Sequence, residues 1–366
     1  MSEIVRGASP RPIQDPKWFD ESSDIGWLRI SDVTNQNGRV HFLEQKISKL
    51  AQEKTRVLET PHLLLSIAAS VGKPVINYTK TGVHDGFLIF INPKFDLYFM
   101  FQWLEMFKPI WQKYGQPGSQ VNLNSDIVKN HKINIPSDHE QEHIGQFFEK
   151  IDKLITLHQR KLEQLEQLKN TLLSKMFPKS GTNIPEIRFS GFTDAWKQRK
   201  LGEVVIRLDN LRIPITESNR VSGPTPYYGA NGIQDYVEGY THDGEYILIA
   251  EDGANDTNNY PIFRVHGKIW VNNHAHVLQT IDDIADNDYV AYALKSINIG
   301  PYLVGGSRSK LNADSLMKLE IKLPKLSEQI KVGQIFVKID YQIKNYKQKL
   351  KNLKTIKKSL LNKLFI

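Results

Sequence analysis

The sequence predicts an α+β protein in which two loop-rich α/β domains are joined by two long antiparallel coiled-coil helices with pseudo-two-fold symmetry. Three observations predict it: a duplicated block, heptad-spaced apolar residues in both copies, and short β-type segments outside them. The chain has 366 residues, 40% of them hydrophobic, which suffices for two cores of ordinary size.

The duplicated block covers residues 118–177 and 306–365. The two copies align without a gap at an offset of 188 positions, and 24 of the 60 aligned positions are identical. A period this long lies outside the range of solenoid repeats. It indicates a duplicated domain-plus-helix unit, and duplicated units usually form a pseudo-two-fold object with two similar working faces. The function should therefore need two similar partners or two similar binding sites, one for each face.

Apolar residues in each copy recur at alternating steps of three and four. Such spacing over four heptads predicts coiled-coil helices that pair through these seams. Leu168 and Ile356 fall out of phase at matching places. An open alternative is that each seam packs only against its own globular domain. The seam residues are Ile144, Phe148, Ile151, Ile155, Leu162, Leu165 and Leu172 in the first copy, and Val332, Phe336, Ile339, Ile343, Leu350, Leu353 and Leu360 in the second.

Signals for the helix starts precede both seams. Pro136 and Pro324 fix the chain just before each helix. Ser137 with Glu140 fits a capping box in the first copy, whereas Ser327 is the expected cap in the second.

Charge indicates how the two helices pair. Residues 138–177 hold six Lys or Arg against seven acids, whereas residues 326–365 hold ten Lys against two acids. Two basic helices would repel each other, so the favourable partner of the second helix is the first. The net charge of +8 weakly indicates a polyanionic ligand.

Composition excludes several classes of protein. The chain has no cysteine, which excludes disulfides, thiolate zinc sites and cysteine nucleophiles. No apolar run approaches 18 residues, so no membrane span is expected. The N-terminal residues lack the apolar segment of a signal peptide. We therefore expect a cytoplasmic protein.

Short β-type segments and single helices alternate outside the repeats, a pattern typical of α+β domains. An aromatic stripe from Tyr98 to Trp111 has helical spacing, so we expect core packing rather than base stacking. The predicted strands are Trp27–Val33, Leu63–Ala69, Phe87–Asn92, Tyr246–Ala250 and Lys268–Asn272, and the predicted helices are Leu97–Tyr114 and Tyr289–Ile297.

Three sets of residues together resemble a known family. The first is Pro185-Glu186-Ile187-Arg188-Phe189-Ser190-Gly191-Phe192, followed by Trp196 and Leu201-Gly202-Glu203. The second is Tyr227-Tyr228-Gly229-Ala230-Asn231-Gly232-Ile233, with Glu251-Asp252-Gly253 and the stretch Gly267–His276. The third is the Glu-Gln…Gly-Gln…Ile-Asp…Lys-Leu pattern of both predicted helices. Over nearly the whole chain, this combination resembles the specificity subunits of Type I restriction–modification systems.

The resemblance implies a non-catalytic DNA reader. Each globular domain would bind one half of a split, asymmetric DNA target, while the helices fix the spacing and dock the methyltransferase subunits. The implied partners are double-stranded DNA, two modification (methyltransferase) subunits and restriction (translocase and nuclease) subunits. The chain would hold no cofactor, since AdoMet, ATP and Mg belong to those partners. The implied domains are target-recognition domain 1 (1–135), spacer helix 1 (136–178), a linker (179–195), target-recognition domain 2 (196–323) and spacer helix 2 (324–366).

The residues alone lead to a similar hypothesis. Matched helices with dissimilar globular domains suit a protein that recognises two different DNA sequences, because two identical domains would recognise a palindrome. The alternative is a coiled-coil scaffold whose β-rich domains bind proteins or glycans. DNA affinity that falls steeply with salt separates the two, since only phosphate neutralisation gives that dependence.

Motifs for an enzyme are weak. His139-Glu140-Gln141-Glu142-His143 fits the zinc pattern H-E-x-x-H, but the repeat replaces both histidines in Ser327-Glu328-Gln329-Ile330-Lys331. Asp32 with Glu44-Gln45-Lys46, and Asp314 with Glu320-Ile321-Lys322, imitate a nuclease pattern that occurs readily by chance. Neither a Gly-rich AdoMet loop nor an Asn/Asp-Pro-Pro-Tyr/Phe motif is present. We predict no catalytic residue and no metal site.

DNA contacts are predicted from side-chain chemistry. Two aligned polar loops, 116–120 and 305–310, precede the helices, and glycine, Arg and Gln there suit phosphate approach and base reading. The open alternatives are plain turns for the loops, a buried hydrogen-bonded network for residues 272–276, and ordinary surface charges. The candidates are Lys113, Ser119, Gln120, Arg212, Arg264, Asn272, Asn273, His274, Ser307, Arg308 and Lys310.

Overall fold

The chain divides into two compact units that each combine a globular domain with part of both long helices. Unit 1 comprises residues 1–159 and 348–366, and unit 2 comprises residues 160–347. The computed structural model describes residues 2–67, 70–111, 113, 123–305 and 309–365. The predicted domain boundaries follow the helix ends, whereas the compact units divide both helices, because each helix half packs with the domain beside it.

Unit 1 is built on a five-stranded sheet of order β1-β8-β5-β6-β3 and a three-stranded sheet of order β2-β7-β4. Its elements are β1 (Glu3–Arg6), β2 (Gly26–Trp27), α1 (Ile30–Asn35), β3 (Arg39–Val40), α2 (Lys49–Gln52), β4 (Arg56–Leu58), β5 (Leu63–Ser66), β6 (Pro74–Asn77), β7 (Thr81–Val83), β8 (Phe87–Ile91), α3 (Leu97–Trp111), α4 (Ser125–Asn130) and α5 (Asp138–Lys175), which continues into unit 2.

Helix α3 supplies much of the unit 1 core. The predicted core role of its aromatic stripe is confirmed, since the rings pack with β1, β5 and β8 as one apolar cluster. Burying side chains of this size contributes roughly 1.5–3 kcal/mol each. Its buried residues include Phe99, Met100, Phe101, Trp103, Leu104, Phe107 and Trp111.

Unit 2 contains a six-stranded sheet of order β10-β15-β13-β14-β11-β12 and a two-stranded sheet of β16 and β9. Its elements are β9 (Lys197–Lys200), β10 (Val205–Arg207), β11 (Ser222–Gly229), β12 (Gly232–Val237), β13 (His242–Ala250), β14 (Ile262–Val271), β15 (Ala275–Thr280), α6 (Asn287–Lys295), α7 (Ala313–Met317), β16 (Glu320–Leu323) and α8 (Leu326–Leu364), whose last part belongs to unit 1.

The core of unit 2 lies between its central strand and α6. Residues 246–250 of β13 are buried without alternation, which is typical of a strand covered on both faces. The helix buries the consecutive residues 289–294, and the same cluster includes apolar residues of α5 and α8. The globular domain and the helix segments therefore share one core.

In unit 1, the start of α5 lies antiparallel to the end of α8. Phe148 and Ile151 are buried against Leu361. The ring of Phe148 also stacks on Phe365 at 6.0 Å between centroids. An ion pair closes this contact, because Lys357 Nζ lies 2.5 Å from an Asp152 oxygen.

Unit 2 repeats these contacts with the roles of the helices exchanged. Phe177 stacks on Phe336 at 5.8 Å between centroids, and Lys169 Nζ lies 2.6 Å from an Asp340 oxygen. Each of these four residues is the 188-position counterpart of one in the unit 1 contacts. The sequence duplication therefore encodes one contact set that is made twice.

A glutamine fixes the start of each long helix. Gln141 Nε2 donates to the carbonyl of Pro136 at 2.9 Å, while its Oε1 accepts from the N–H of Asp96 at 3.1 Å. Gln329 makes the same pair of bonds to Pro324 and Asp286, both at 3.0 Å. The glutamine of this motif thus joins each long helix to the capping aspartate of the helix packed against it. The sequence pattern reflects this shared joint.

The linker before β9 is held by one buried ion pair. Arg188 donates to both carboxylate oxygens of Glu328 at 2.7 and 2.8 Å, and only 1% of the Glu328 side chain is exposed. Bidentate arginine–carboxylate pairs are strong and geometrically specific. The corresponding Glu140 in the first copy is exposed. The arginine in the segment Pro185–Phe192 therefore has a structural role, which is to bind α8.

Two local predictions are corrected. Residues 27–33 do not form one strand, because β2 ends at Trp27 and α1 follows. The Asp32 carboxylate accepts from the N–H of Arg29 at 3.0 Å, so local capping overrides the β-type composition. The second correction concerns Ser327, which lies inside α8 rather than at its cap. The N–H groups of residues 328 and 329 bind the Lys325 carbonyl instead.

The expected cap of α5 is confirmed in part. The N–H of Glu140 lies 3.4 Å from Ser137 Oγ, which is one bond of the predicted capping box.

Within the described part of the chain, no helix is long and apolar enough to cross a membrane.

Candidate nucleic-acid interface and partner surface

The predicted polar residues after β14 are mostly engaged within unit 2. Asn272 is buried, and its side-chain oxygen accepts from the N–H of His274 at 2.8 Å. The imidazole of His274 in turn lies 2.5 Å from an Asp252 oxygen. Asn273 is exposed. The arrangement corresponds to the hydrogen-bonded network alternative for Asn272 and His274, and leaves Asn273 directed to solvent.

An ion-pair network lies beside these residues. Arg212 Nη1 lies 2.7 Å from one oxygen of Glu251, and Lys310 Nζ lies 2.9 Å from the other. His276 Nδ1 lies 2.6 Å from an oxygen of Asp209. Only 14% of the Arg212 side chain is exposed, against 45% for Lys310. Arg212 is thus held as a structural cation, while nearly half of the Lys310 side chain stays accessible to solvent.

The network ties the predicted recognition loop to the sheet. His276 Nε2 lies 2.8 Å from the carbonyl oxygen of Leu311, next to loop 305–310. Both ring nitrogens of His276 are thus engaged, one by a carboxylate of the network and one by the backbone beside the loop. Burial opposes ionisation of Asp209, but the hydrogen bond from His276 and the charge of Arg212 hold the pKa of that carboxyl below its usual value. Lys310 and Leu311, at the end of this segment, are therefore tied to the sheet.

The same residues could be mistaken for a metal centre. The donor atoms of Asp209, Glu251 and His276 lie within 4.8 Å of one another. A carboxylate–imidazole set can hold a divalent cation. Arg212 and Lys310 already supply positive charge to Glu251, so the set fits an ion-pair network better than a metal site.

The remaining predicted DNA contacts are dispersed. Arg264 pairs with Asp288, and 27% of its side chain is exposed. Lys113 is exposed in unit 1. Four candidates lie outside the described residues: Ser119, Gln120, Ser307 and Arg308.

Exposed aromatic residues on unit 2 were missed by the sequence analysis. Tyr236 and Tyr240 are half exposed, and Lys268 Nζ lies 4.7 Å from the Tyr240 ring centroid. Exposed aromatic faces next to cations suit base stacking and backbone contact. Their signal in the sequence is a pair of tyrosines in segment 234–244, which is polar apart from these rings and Val237.

The predicted helix seams face inward. All fourteen predicted positions are buried or half buried, whereas the out-of-phase residues Leu168 and Ile356 are about half exposed. The structure thus confirms which face of each helix is covered. Their role in partner docking stays a prediction.

The H-E-x-x-H motif lies in the first turns of α5. His139, Glu140 and His143 are exposed, and His143 Nδ1 lies 2.7 Å from the carbonyl oxygen of His139. Within residues that the structure describes, no third His, Asp or Glu joins them in a metal-binding group. The motif therefore matches the geometry of a helix start rather than a zinc site.

An exposed apolar surface follows α5 in unit 1. Phe147, Leu154 and Leu157 are exposed by 46%, 45% and 61%, and lie seven and three positions apart. Phe147 also lines an open groove of about 440 Å³ at the start of α5. Exposed apolar residues grouped on one helix are candidates for an interaction surface. The groove is lined by His143, Ile144, Gln146, Phe147, Lys150 and Leu364.

The chain thus combines two α+β domains, a helix joint made twice, an aromatic and basic surface on one domain and an exposed apolar helix face. The chain belongs to the Type I restriction modification DNA specificity domain family, whose model matches residues 2–167 and again residues 193–355. The two matches correspond to the two copies of the domain-plus-helix unit.

Comparisons with individual proteins agree with this family. A type I restriction enzyme specificity subunit of Haemophilus influenzae is 43% identical over 157 residues, which are 43% of this chain and 40% of that protein. The match thus spans less than half of the Haemophilus protein. The type I restriction enzyme EcoprrI specificity subunit of Escherichia coli is 24% identical over 358 residues, covering 90% of this chain and 83% of that protein.

A solved structure shows the same fold. The Type-I restriction-modification system S subunit from M. genitalium superposes with a TM-score of 0.72 at 14% identity, covering all of this chain and 94% of that one. At 14% identity, this similarity shows that the two proteins share a fold and nothing more.

Proposed function

We propose that this chain is the DNA sequence-specificity subunit of a Type I restriction–modification complex, in which each globular domain reads one half of a bipartite, asymmetric DNA target. The observation that carries the proposal is the double match to the specificity-domain family, with a helix joint made twice and globular parts that differ. Two dissimilar globular domains on matched helices would recognise two different half-site sequences.

The chain reads DNA without catalysing its modification or cleavage. Supporting this proposal, the metal-like cluster at Asp209 is held as an ion-pair network. Methylation and cleavage would be carried out by two modification subunits and by restriction subunits, with AdoMet, ATP and Mg bound there. The purified chain alone should neither methylate nor cleave DNA, and H139A with H143A should leave modification by the assembled complex intact.

The two long helices act as a coiled-coil ruler in this proposal. From Ile144 to Met176 the chain advances 32 residues, or roughly 48 Å of helix at about 1.5 Å per residue. Along B-DNA this corresponds to about 14 base pairs at roughly 3.4 Å each. The two half-sites should therefore lie more than one helical turn apart, separated by a fixed number of unread base pairs.

The exposed apolar face of α5 is the proposed docking surface for a modification subunit. Its residues Phe147, Leu154 and Leu157 lie on the helix but outside the covered seam. An unpartnered apolar surface favours association, so the isolated chain should be poorly soluble and should gain stability when it is co-expressed with a methyltransferase.

Methylome sequencing tests the function directly. A host expressing this chain with its cognate methyltransferase should show one split, adenine-methylated motif that is absent without the chain. Methylation at unrelated sites, or none despite a complex of the two proteins, would contradict the proposal. Steep loss of DNA affinity with salt is expected in parallel, and a flat salt dependence would favour the glycan- or protein-binding scaffold.

A further inference from the structure

Three cations from three elements of unit 2 converge on one buried aromatic ring. The ring belongs to Tyr292, which has no exposed surface. Lys295, at the end of α6, places Nζ 5.3 Å from the ring centroid. Lys169 Nζ from α5 and the Arg264 guanidinium from β14 lie 5.9 and 5.8 Å from the same centroid. Cations over an aromatic face are attracted to it, but they repel one another.

The carboxylates around the ring neutralise only two of these charges. Arg264 is paired with Asp288, and Lys169 lies 2.6 Å from Asp340. Asp340 also accepts a hydrogen bond of 2.5 Å from the Tyr292 hydroxyl. Asp286 also interacts electrostatically with Arg264, whereas the carboxylate that acts on Lys295 is Asp340, which is already paired with Lys169.

Lys295 carries the unbalanced charge. Within the described part of the chain its ammonium group makes no ion pair or hydrogen bond, although it is half buried. Burial, together with the charges of Lys169 and Arg264, lowers the pKa of Lys295 to about 8, against the opposing effect of Asp340. A half-buried ammonium without a partner is costly unless an anion arrives from outside.

The cluster is open to such an anion. The side chains of Lys169 and Arg264 are 21% and 27% exposed, so a ligand oxygen can approach them from solvent. The single unmatched charge equals the single negative charge of a phosphodiester. Phosphate oxygens also accept from several donors at once, which three cations on separate elements supply.

The first copy lacks this cluster. Asp96 and Asp286 occupy equivalent capping positions, because each accepts from the N–H three residues later at 2.8 Å. Nine residues after these caps stand Glu105 in α3 and Lys295 in α6. Glu105 is paired with Lys73 at 2.5 Å. At this equivalent position, the first domain therefore has a paired acid where the second has the unmatched cation.

We propose that Lys169, Arg264 and Lys295 form an anion site that takes one phosphate of the DNA backbone at the half-site bound by the second domain. The proposal rests on the DNA-reading function proposed above. A phosphate contact positions the domain on the duplex without reading a base. Of the three residues, only Arg264 was a candidate from the sequence.

The test measures binding of the full chain to a mixed-sequence duplex by fluorescence anisotropy, at several salt concentrations and from pH 7 to pH 9. The variants are K295Q, which removes the charge, and K295R, which keeps it at all these pH values. Removing one phosphate contact should reduce the slope of log K against log salt by about 0.9 and weaken binding several-fold at low salt. K295R should keep both the slope and the affinity.

The pH profile gives a second readout. An anion binds the ammonium form, so the affinity of the wild type should be highest below the pKa of Lys295, about 8, and should fall as pH rises through it. The K295R profile should be nearly flat because arginine stays charged. K295Q should be weak and flat.

The outcomes separate this proposal from the proposed function. If the wild type does not bind DNA, the proposed function fails. If it binds DNA but K295Q shares its salt slope and pH profile, the anion site is overturned while the function stands. Stabilisation of the wild type by inorganic phosphate alone, with DNA binding unaffected by K295Q, would assign the site to a free anion and overturn the DNA contact. Loss of methyltransferase binding in K295Q, with DNA affinity unchanged, would also overturn it.

Discussion

At the scale of single residues, buried charges form the repeated joint between the helices and their domains. Asp152 accepts from Lys357 at 2.5 Å, from Gln102 at 2.8 Å and from Arg39 at 2.9 Å. Its counterpart Asp340 accepts from Lys169 and Tyr292. Because 17% of the Asp152 side chain is exposed, these contacts are screened little by water. Each aspartate thus fixes a helix crossing and orients cations that would otherwise repel.

Asp152→Asn should destabilise the chain by roughly 2–3 kcal/mol at neutral pH, because the amide leaves Lys357 and Arg39 without a counter-charge. Burial tends to raise the pKa of Asp152, but Lys357 and Arg39 hold it below its usual value. A depressed carboxyl pKa stabilises the fold above the unfolded-state pKa near 4, and that stability is lost as pH falls. The difference between wild type and variant should therefore shrink at about pH 3.

Urea unfolding at both pH values measures this effect. Glu149→Gln is the control, since its partner Lys153 is 70% exposed and a surface pair contributes under about 1 kcal/mol. Equal unfolding free energies for wild type and Asp152→Asn at neutral pH would contradict the assigned role.

At the scale of elements, a glycine sets how closely each spacer helix approaches its domain. A Cβ on Gly333 would lie 2.8 Å from Asp286 Oδ1, 2.9 Å from Asp288 Cβ and 3.0 Å from Tyr289 N. Gly145 meets the start of α3 in the same way, with Asp96 Oδ1 at 2.5 Å. The long helices therefore contact the capped ends of α3 and α6 through matching glycines.

Gly333→Ala should destabilise unit 2 by about 1–3 kcal/mol, although alanine is the better helix former by about 1 kcal/mol. The loss arises because the Asp286 cap and the backbone of α6 must shift to admit a methyl group. Asn170→Ala, at an exposed position of α5, should instead be neutral or slightly stabilising. Thermal unfolding of both variants decides the matter, and a stabilised Gly333→Ala would show that the approach is not tight.

The exposed face of α5 supplies its own matched substitutions. The counterparts of Leu154 and Leu157 in the second copy are Gln342 and Asn345. Leu154→Gln with Leu157→Asn should make the isolated chain more soluble, because apolar surface is removed from water. It should also reduce the methyltransferase copies bound per chain from two toward one.

Light scattering of the co-purified complex measures that stoichiometry. Thr156→Gln, an exposed change on the same helix, is the control and should leave two copies bound. If the double variant retains two copies at unchanged affinity, this face is not the docking surface.

At the scale of the whole molecule, the repeated contacts allow a test of the proposed ruler. Asp152 and Lys169 are 17 positions apart on α5, and Asp340 and Lys357 are 17 apart on α8. Inserting one heptad after Leu165 and one after Leu353 lengthens both intervals equally. The seam phase and both ion pairs are kept.

Each inserted heptad adds about 10 Å of helix, or roughly three base pairs of rise. The methylated motif should therefore keep its two words while the gap between them widens, because the domains themselves are unchanged. Methylome sequencing of the double-insertion variant reads out the gap. An unchanged gap would show that the helices do not set it.

Much of the fold could be read from the sequence because it depends on local periodicity. The seams, the helix α3 core and the strands near residues 87–92, 246–250 and 268–272 follow from spacing and composition that each segment carries by itself. The predictions for residues 27–33 and for Ser327 were wrong, since an aspartate cap formed a helix in the first case and the Lys325 carbonyl accepts the first helical N–H groups in the second.

The candidate sites were less predictable. Arg212 carries the charge expected of a phosphate contact, but Glu251, 39 positions away, binds it in a buried network. Lys295 has no distinguishing neighbours in the sequence, and its unmatched charge depends on Lys169 and Arg264 meeting at one ring. The sequence by itself determined the duplication, the long helices and the family resemblance, because these reside in repeated and periodic residues. Only the tertiary structure decided which charges are neutralised and which remain open, because ion pairing depends on distances between residues far apart in the chain.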